Sequence, residues 1–301
     1  MTQRTTLFGF APGTETARAA EIVRLGVRAD RSGLDLFSTS DHPYYGQRLD
    51  AYSTLGFVLG ATSGIAGLAN VTNLPSRPAP VLARAVTSLS ALSGGRIVLG
   101  IGAGGFWDEI ERFGRPRLGP GQAVRALEEA ITLVRALSGG GEPVTFHGEF
   151  SDIRDIEPAD VPAPRIWTGS LGERSLAVTG RLADGWIPGH ASDWVSERYL
   201  ASRPLVDRAA EEAGRDPSDV VTVFNLPGRI TDTPLGRTRD GDGRWIGGSV
   251  GQWVEELTGA VLDHRAAGFV HFATGGGPLD VALGRWAEDV VPAVRENVAK
   301  G

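Results

Sequence analysis

The chain has 301 residues, 41% of them hydrophobic and 22% charged, which is a globular composition. A formal net charge of −6 with no basic stripe argues against nucleic acid as a partner, and no apolar run is long enough to span a membrane. The absence of cysteine removes disulfides, thiolate nucleophiles and thiolate metal sites together.

Residues 5–11 read as a short apolar strand that stops at Ala11-Pro12-Gly13. Thr14 is expected to cap a helix running to Arg31, in which Ala17, Ala20, Ile22, Val23 and Val27 recur at helical spacing. No basic segment followed by an apolar core and cleavage site opens the chain, so a cytoplasmic location is expected. A second strand over 34–38 ends at Thr39-Ser40-Asp41-His42 and a Pro-Tyr-Tyr-Gly loop. A helix over 52–64, a strand over 67–72, a loop over 73–78 and a helix over 79–93 follow.

Ser93-Gly94-Gly95 ends that helix, because glycine supplies the left-handed conformation of a C-terminal cap. The next strand, over 96–101, is too apolar and β-branched for a surface position and suits a parallel strand buried on both faces. Gly102-Ala103-Gly104-Gly105 stands at its carboxyl end, with no large side chain to keep a ligand off the backbone. Gly100, Gly102 and Gly105 match G-x-G-x-x-G, but the motif lies late in the chain and lacks the acidic residue a dinucleotide fold requires. Spacing alone favours a tight βα turn.

Beyond it lie a helix over 121–137, a small hairpin over 144–150, a strand over 164–168 and a helix over 173–182. A strand over 183–188, a helix over 192–213 and a strand over 220–226 come next. Residues 227–248 hold six glycines, two prolines and four arginines without periodicity, and read as a mobile lid. A helix over 250–267, a strand over 269–273 and a helix over 279–298 close the chain. Eight strands alternating with eight helices predict a single (β/α)8 TIM barrel domain over 1–301, with insertions at the carboxyl ends of the strands. A doubly wound sheet is the alternative.

Barrel sites lie at those carboxyl ends. The residues found there are Asp41-His42, Ala69-Asn70, Ala103-Gly104-Gly105, Gly169-Ser170-Leu171-Gly172, Gly189-His190 and Gly275-Gly276-Gly277. The set is poor in carboxylates, so paired acids for glycoside hydrolysis are not evident, and His42 with His190 does not make a metal site. Glycines suit a barrel that grips a large flat cofactor through backbone amides. Gly169-Ser170-Leu171-Gly172 opens a helix, whose free amides would form an anion site; a plain helix start is the alternative.

Several segments, in order, resemble the luciferase-like monooxygenase family. LSGGRIVLGIGAG with Glu109 and Phe113-Gly114 resembles its "LS.GR..LGIG.G…E…FG" signature. Leu34-Asp35 with Asp41-His42 resembles "G.D….DH", and 165–172 with 180–186 resembles "P.w.GA.G……GR.ADGW". The resemblance implies an oxidoreductase whose barrel binds the deazaflavin F420 or, alternatively, FMN, and acts on a small organic substrate as a homodimer. It implies a non-prolyl cis peptide at Ala69–Asn70, a phosphate on Gly169-Ser170-Leu171-Gly172, a ring and ribityl chain along Ala103-Gly104, and His42 with Asp41 at the reactive face. Two departures stand out. Gly105 occupies the position of the glutamate in the F420-dependent glucose-6-phosphate dehydrogenases, and Lys300, the only lysine, cannot replace their sugar-phosphate lysines. A barrel lyase or hydrolase using Asp41 and His42, and a flavin-binding protein without turnover, are the other readings.

Overall fold

Eight short strands close into a parallel barrel in the computed structural model, which describes residues 5–190, 192–274 and 276–300. The barrel strands are β1 (Leu7–Phe10), β2 (Leu36–Thr39), β3 (Ala66–Ala69), β5 (Ile97–Gly102), β8 (Arg165–Thr168), β9 (Gly185–Trp186), β10 (Val221–Thr231) and β12 (Gly268–Ala273). They pair in that order, and β12 returns to β1, so the ring of these eight strands has no open edge. The two residues of β4 (Thr72–Asn73) continue the path of β3 along β5. A hairpin of β6 (Val144–His147) and β7 (Asp152–Ile156) and the short β11 (Gly247–Ser249) lie outside the ring.

The barrel interior is filled by alternation. Ala11, Leu36, Leu68, Val98, Trp167, Ile187, Val223 and Val270 form one apolar cluster, with one residue in or just beyond each barrel strand. Trp167 is therefore a core residue, as its apolar strand suggests. The opposite strand faces meet a larger cluster contributed by the surrounding helices.

Those helices are α1 (Ala19–Arg31), α2 (Ala51–Gly60), α3 (Ala79–Ser93), α4 (Trp107–Arg112), α5 (Pro120–Ala136), α6 (Glu173–Leu182), α7 (Glu197–Glu212), α8 (Val250–His264), α9 (Leu279–Gly284) and α10 (Val291–Lys300). A π-helical turn over Arg285–Val290 joins the last two. Local chemistry sets the ends. The Asp50 carboxylate accepts from the Ser53 amide at α2, and Gly94 takes φ +69° to stop α3. Ser249 and Gln252 form a capping box at α8.

Three expectations change. The first helix begins at Ala19, after a 3-10 turn over Thr16–Arg18, and Thr14 does not cap it. Helix α7 begins at Glu197, because the Ser196 hydroxyl takes the cap while Asp193 and Trp194 are buried ahead of it. Residues 227–231 belong to β10, paired with β12 and then β11, so the irregular stretch starts after Thr231. Even there Trp245 is buried, and Arg239 pairs with Asp193 and Glu256.

Candidate active site

A cavity of about 750 Å³ opens at the carboxyl ends of β2, β3, β5 and β8. Its first wall is Gly102-Ala103-Gly104-Gly105. Gly104 has φ +115°, and a Cβ there would lie 2.8 Å from both Pro75 and Trp107, so only glycine fits. Val71 closes the wall at its base. A Cβ on Gly102 would meet the Val71 side chain at 3.0 Å, and one on Gly169 would meet it at 2.9 Å.

The second wall is Gly169-Ser170-Leu171-Gly172, leading into α6. Gly172 sits at the N-cap with no side chain to satisfy the first amides. The Ser170 hydroxyl is buried without a hydrogen-bond partner. The loop is held from behind, where Trp186 Nε1 donates to the Ser170 carbonyl at 2.9 Å. Unfilled amides, the positive end of a helix and an orphaned hydroxyl together make a site that an oxyanion satisfies.

The third wall comes from the end of β2. Asp41 is buried, and its carboxylate accepts three hydrogen bonds. Arg77 donates to Oδ2 at 2.8 Å and to Oδ1 at 2.6 Å, and the Asn73 amide donates to Oδ2 at 3.0 Å. Arg77 also pairs with Asp50 and lies over the Tyr52 ring, 4.7 Å from its centroid. Asp41 thus ties the loop after β2 to the loop after β4, while still lining the cavity.

His42 differs from its neighbour in every respect. It is half-buried and stands edge-on to Phe106, with ring centroids 5.5 Å apart. Its Nδ1 shares a 2.8 Å hydrogen bond with the Tyr44 hydroxyl, to which Asn73 Nδ2 donates at 3.4 Å. Burial lowers the imidazole pKa below 6.5, Arg48 lowers it further, and Asp41 partly opposes both. Burial pushes the Tyr44 phenol up to about 12, so it stays protonated.

The cavity thus gathers Asp41, His42, Asn70, Ala103, Gly104, Gly169, Ser170, Leu171 and Gly172. Ala69 is the exception. It is buried behind the cavity, and its carbonyl packs where a Cβ on Gly100 would come within 2.1 Å. The cis peptide is likewise one residue later than expected, at Asn70–Val71. The β2–β3 ladder explains the shift: Ala69 still pairs with Thr39, and the Asn70 amide still donates to the Thr39 carbonyl. His190 lines a separate cavity from His42. Gly275 lies outside the described residues. Among the described residues no group of three metal-ligating side chains is present.

Sequence reasoning missed Val71, Asn73, Arg77 and Phe106. Only Arg77, between two prolines beside a predicted barrel rim, carried a signal, as a charge with nowhere apolar to go.

A closed parallel barrel with a glycine-walled, anion-accepting cavity at its carboxyl rim defines a cofactor-binding barrel class. The luciferase-like monooxygenase model matches residues 5–239, and the chain belongs to that family. An F420-dependent glucose-6-phosphate dehydrogenase of Microbacterium testaceum is 29% identical over 245 residues, which is 77% of this chain and 71% of that one. A 5,10-methylenetetrahydromethanopterin reductase of Methanolobus tindarius is 31% identical, over 70% of this chain and 61% of its own length. Among solved structures, an F420-dependent secondary alcohol dehydrogenase with an F420–acetone adduct superposes with TM-score 0.80 at 18% identity, covering 96% of this chain and 99% of that one. A long-chain alkane monooxygenase gives the same TM-score at 12% identity, over 98% and 92% of the two chains.

Proposed function

We propose that the chain is an F420-dependent oxidoreductase that moves a hydride between the deazaflavin and a small organic substrate. FMN, with oxygen as co-substrate, is the second reading, since a phosphate-bearing flavin meets the same walls. The observation that carries the proposal is the pairing of a wall at 102–105 that bears no side chain larger than the Ala103 methyl with the unfilled amides and orphaned Ser170 hydroxyl at 169–172. Gly169-Ser170-Leu171-Gly172 would hold the cofactor phosphate, and Asn70, Ala103 and Gly104 would line its ring and side chain. When bound, the cofactor supplies the hydride chemistry.

The protein's own task is then orientation and proton transfer. Asn73 donates to the Tyr44 oxygen, which leaves the Tyr44 proton directed at His42 Nδ1. In this tautomer Nε2 keeps the imidazole proton, on a ring that lines the cavity. Neutral His42 can then donate a hydrogen bond from Nε2 to a substrate oxygen that gains charge; in the reverse direction the other tautomer, with Nδ1–H toward Tyr44, leaves Nε2 free to accept the substrate's proton. Asp41 fixes this loop through Arg77.

Fluorescence titration of the purified protein with F420 and with FMN tests the reading. Saturable binding of at least one, tighter for F420, is expected; binding of neither overturns it. The remaining features follow the same reading. We place the protein in the cytoplasm; no helix of the described residues is long and apolar enough to cross a membrane. A homodimer is supported by Phe57 and Leu92, which are 74% and 86% exposed on the adjacent α2 and α3. Light scattering behind size exclusion checks it, and a monomer would refute it. Residues 232–246 would close over the bound cofactor.

A further inference from the structure

Strands β3 and β10 stand on opposite sides of the barrel, four positions apart whichever way the closed ring is followed. Asn70, directly after β3, and Asn225, within β10, nevertheless meet across the mouth. Asn70 Nδ2 donates to Asn225 Oδ1 at 2.7 Å, and Asn225 Nδ2 donates back to Asn70 Oδ1 at 3.2 Å. Leu68 and Val223, two residues earlier on the same paths, belong to the apolar barrel filling. Alternation therefore turns both asparagines inward, directly above that filling.

A carboxamide over an apolar plug is costly unless it is hydrogen-bonded. The reciprocal pair meets half of each group's capacity, because a carboxamide has two N–H donors and two lone pairs on oxygen. Each asparagine keeps one donor and one acceptor in reserve. Asn70 lines the glycine-walled cavity. Ser38, two residues beyond the inward Leu36 on β2, adds a buried hydroxyl with no partner. The barrel is thus apolar below and polar at its mouth, and the amide pair forms the boundary.

We infer that Asn225 is a positioning residue for the cavity: it fixes the rotation of the Asn70 carboxamide, so that one oriented N–H and one oriented C=O face a bound polar ring system. The chemical class served is a heterocycle carrying both N–H and C=O groups; the inference rests on the cofactor reading above. Among the described residues Asn225 is the sole hydrogen-bond partner of the Asn70 side chain. Without it the carboxamide turns about its last torsion, and either end faces the ligand.

Two measurements test this. In the ligand-free protein, nitrogen-15 NMR should show the Asn70 side-chain amide as a resolved, shifted pair of resonances. Asn225→Ala should return that pair toward the free-amide position. Asn225→Asp retains the acceptor for Asn70 Nδ2 and should preserve the shift; it also carries the test if the alanine variant does not fold. An unmoved resonance in folded Asn225→Ala, or a lost one in folded Asn225→Asp, overturns the assignment. In the second measurement F420 and FMN are titrated into wild type, Asn70→Ala, Asn225→Ala and the double variant. Each single change should weaken binding about tenfold, as expected for one buried hydrogen bond, and the double variant should be no weaker than either. Unchanged affinity in Asn225→Ala, or additive losses, overturns the positioning role. Failure of wild type to bind either cofactor would overturn the functional reading, and the NMR comparison would still decide the orientation of Asn70.

Discussion

Two histidines, one at the cavity and one in the barrel wall, show how surroundings decide what the same side chain does. His42 follows β2, with Tyr44 on Nδ1, and lines the cavity. His271 lies in β12, facing the helices, boxed by the rings of Phe10, Trp253 and Trp286. Its Nδ1 donates to the Leu226 carbonyl at 3.3 Å, and its Nε2 is buried without a partner. Burial lowers both pKa values. In the wall it does so much more strongly, to about 4 for His271, against the small opposing effect of the Leu226 bond. A cavity histidine can exchange protons near neutrality. A walled-in histidine can only record the cost of charging it.

The largest expected effect lies in the wall. Unfolded His271 binds a proton near pH 6.5, and folded His271 does so only near pH 4. Between those values the unfolded chain holds more protons, so stability rises with pH across the window and falls as pH drops through it. The loss is about 3 kcal/mol by linkage, complete near pH 4. His271→Phe, which suits the aromatic box, should remove that share of the pH dependence. Urea midpoints for both proteins at pH 7 and pH 4.5 measure it, and parallel losses would show that His271 is not the group responsible.

The cavity histidine should behave oppositely. His42→Ala is expected to fold and to keep cofactor affinity within a few-fold, while turnover falls by ~10²-fold, the usual size of a general acid–base contribution. Since burial holds its pKa below 6.5, wild-type turnover in the direction that needs His42 to accept a proton should fall on the acid side of that value, where the imidazole is already protonated, and the variant should lack that limb. Equal losses of binding and turnover would make His42 a cofactor ligand instead.

This contrast also marks what could be read from the chain before its structure. The barrel was legible, because alternating apolar strands and amphipathic helices repeat over the whole length. So were the glycine walls and the Asp41-His42 turn, since each follows a recognisable strand end. The separate fates of Asp41 and His42 were not. They depend on Arg77, 36 residues away from Asp41, and no local pattern announces that pair. The position of the cis peptide was missed by one residue, because pairing of Ala69 with Thr39 is a property of the neighbouring strand. Helix α4 was missed as well, being six residues long and carrying two acidic residues in its first turn.

A smaller effect sharpens the picture of the cavity as a backbone-built site. Gly172 has ordinary φ, and a Cβ there would meet only the Ser175 hydroxyl, at 3.9 Å. Gly172→Val should therefore fold normally, yet place a branched side chain where the phosphate is expected. F420 and FMN affinity should drop about tenfold, or 1.4 kcal/mol. Unchanged affinity for both, with an unchanged melting midpoint, would remove the phosphate from 169–172.

The smallest effect concerns the segment after Thr231, where backbone freedom and side-chain anchoring compete. Arg237 is exposed, whereas Arg239 is partly buried and held by Asp193, Glu256 and the Gly243 carbonyl. Trypsin needs a locally opened backbone around its target, so the anchor makes the two arginines unequal. Cleavage should occur after Arg237 first and after Arg239 only later, which divides the segment into a free approach and a fastened base. If the segment closes over the cavity, saturating F420 should slow the first cut a few-fold, because the open form then competes with bound ligand. Peptide mapping of a short time course, with and without cofactor, gives both answers. First cleavage after Arg239 would show that its ion pairs do not fasten the segment. Equal rates with and without F420 would show that the segment stays clear of the cavity, and closure would have to be sought in the loop that carries Phe106.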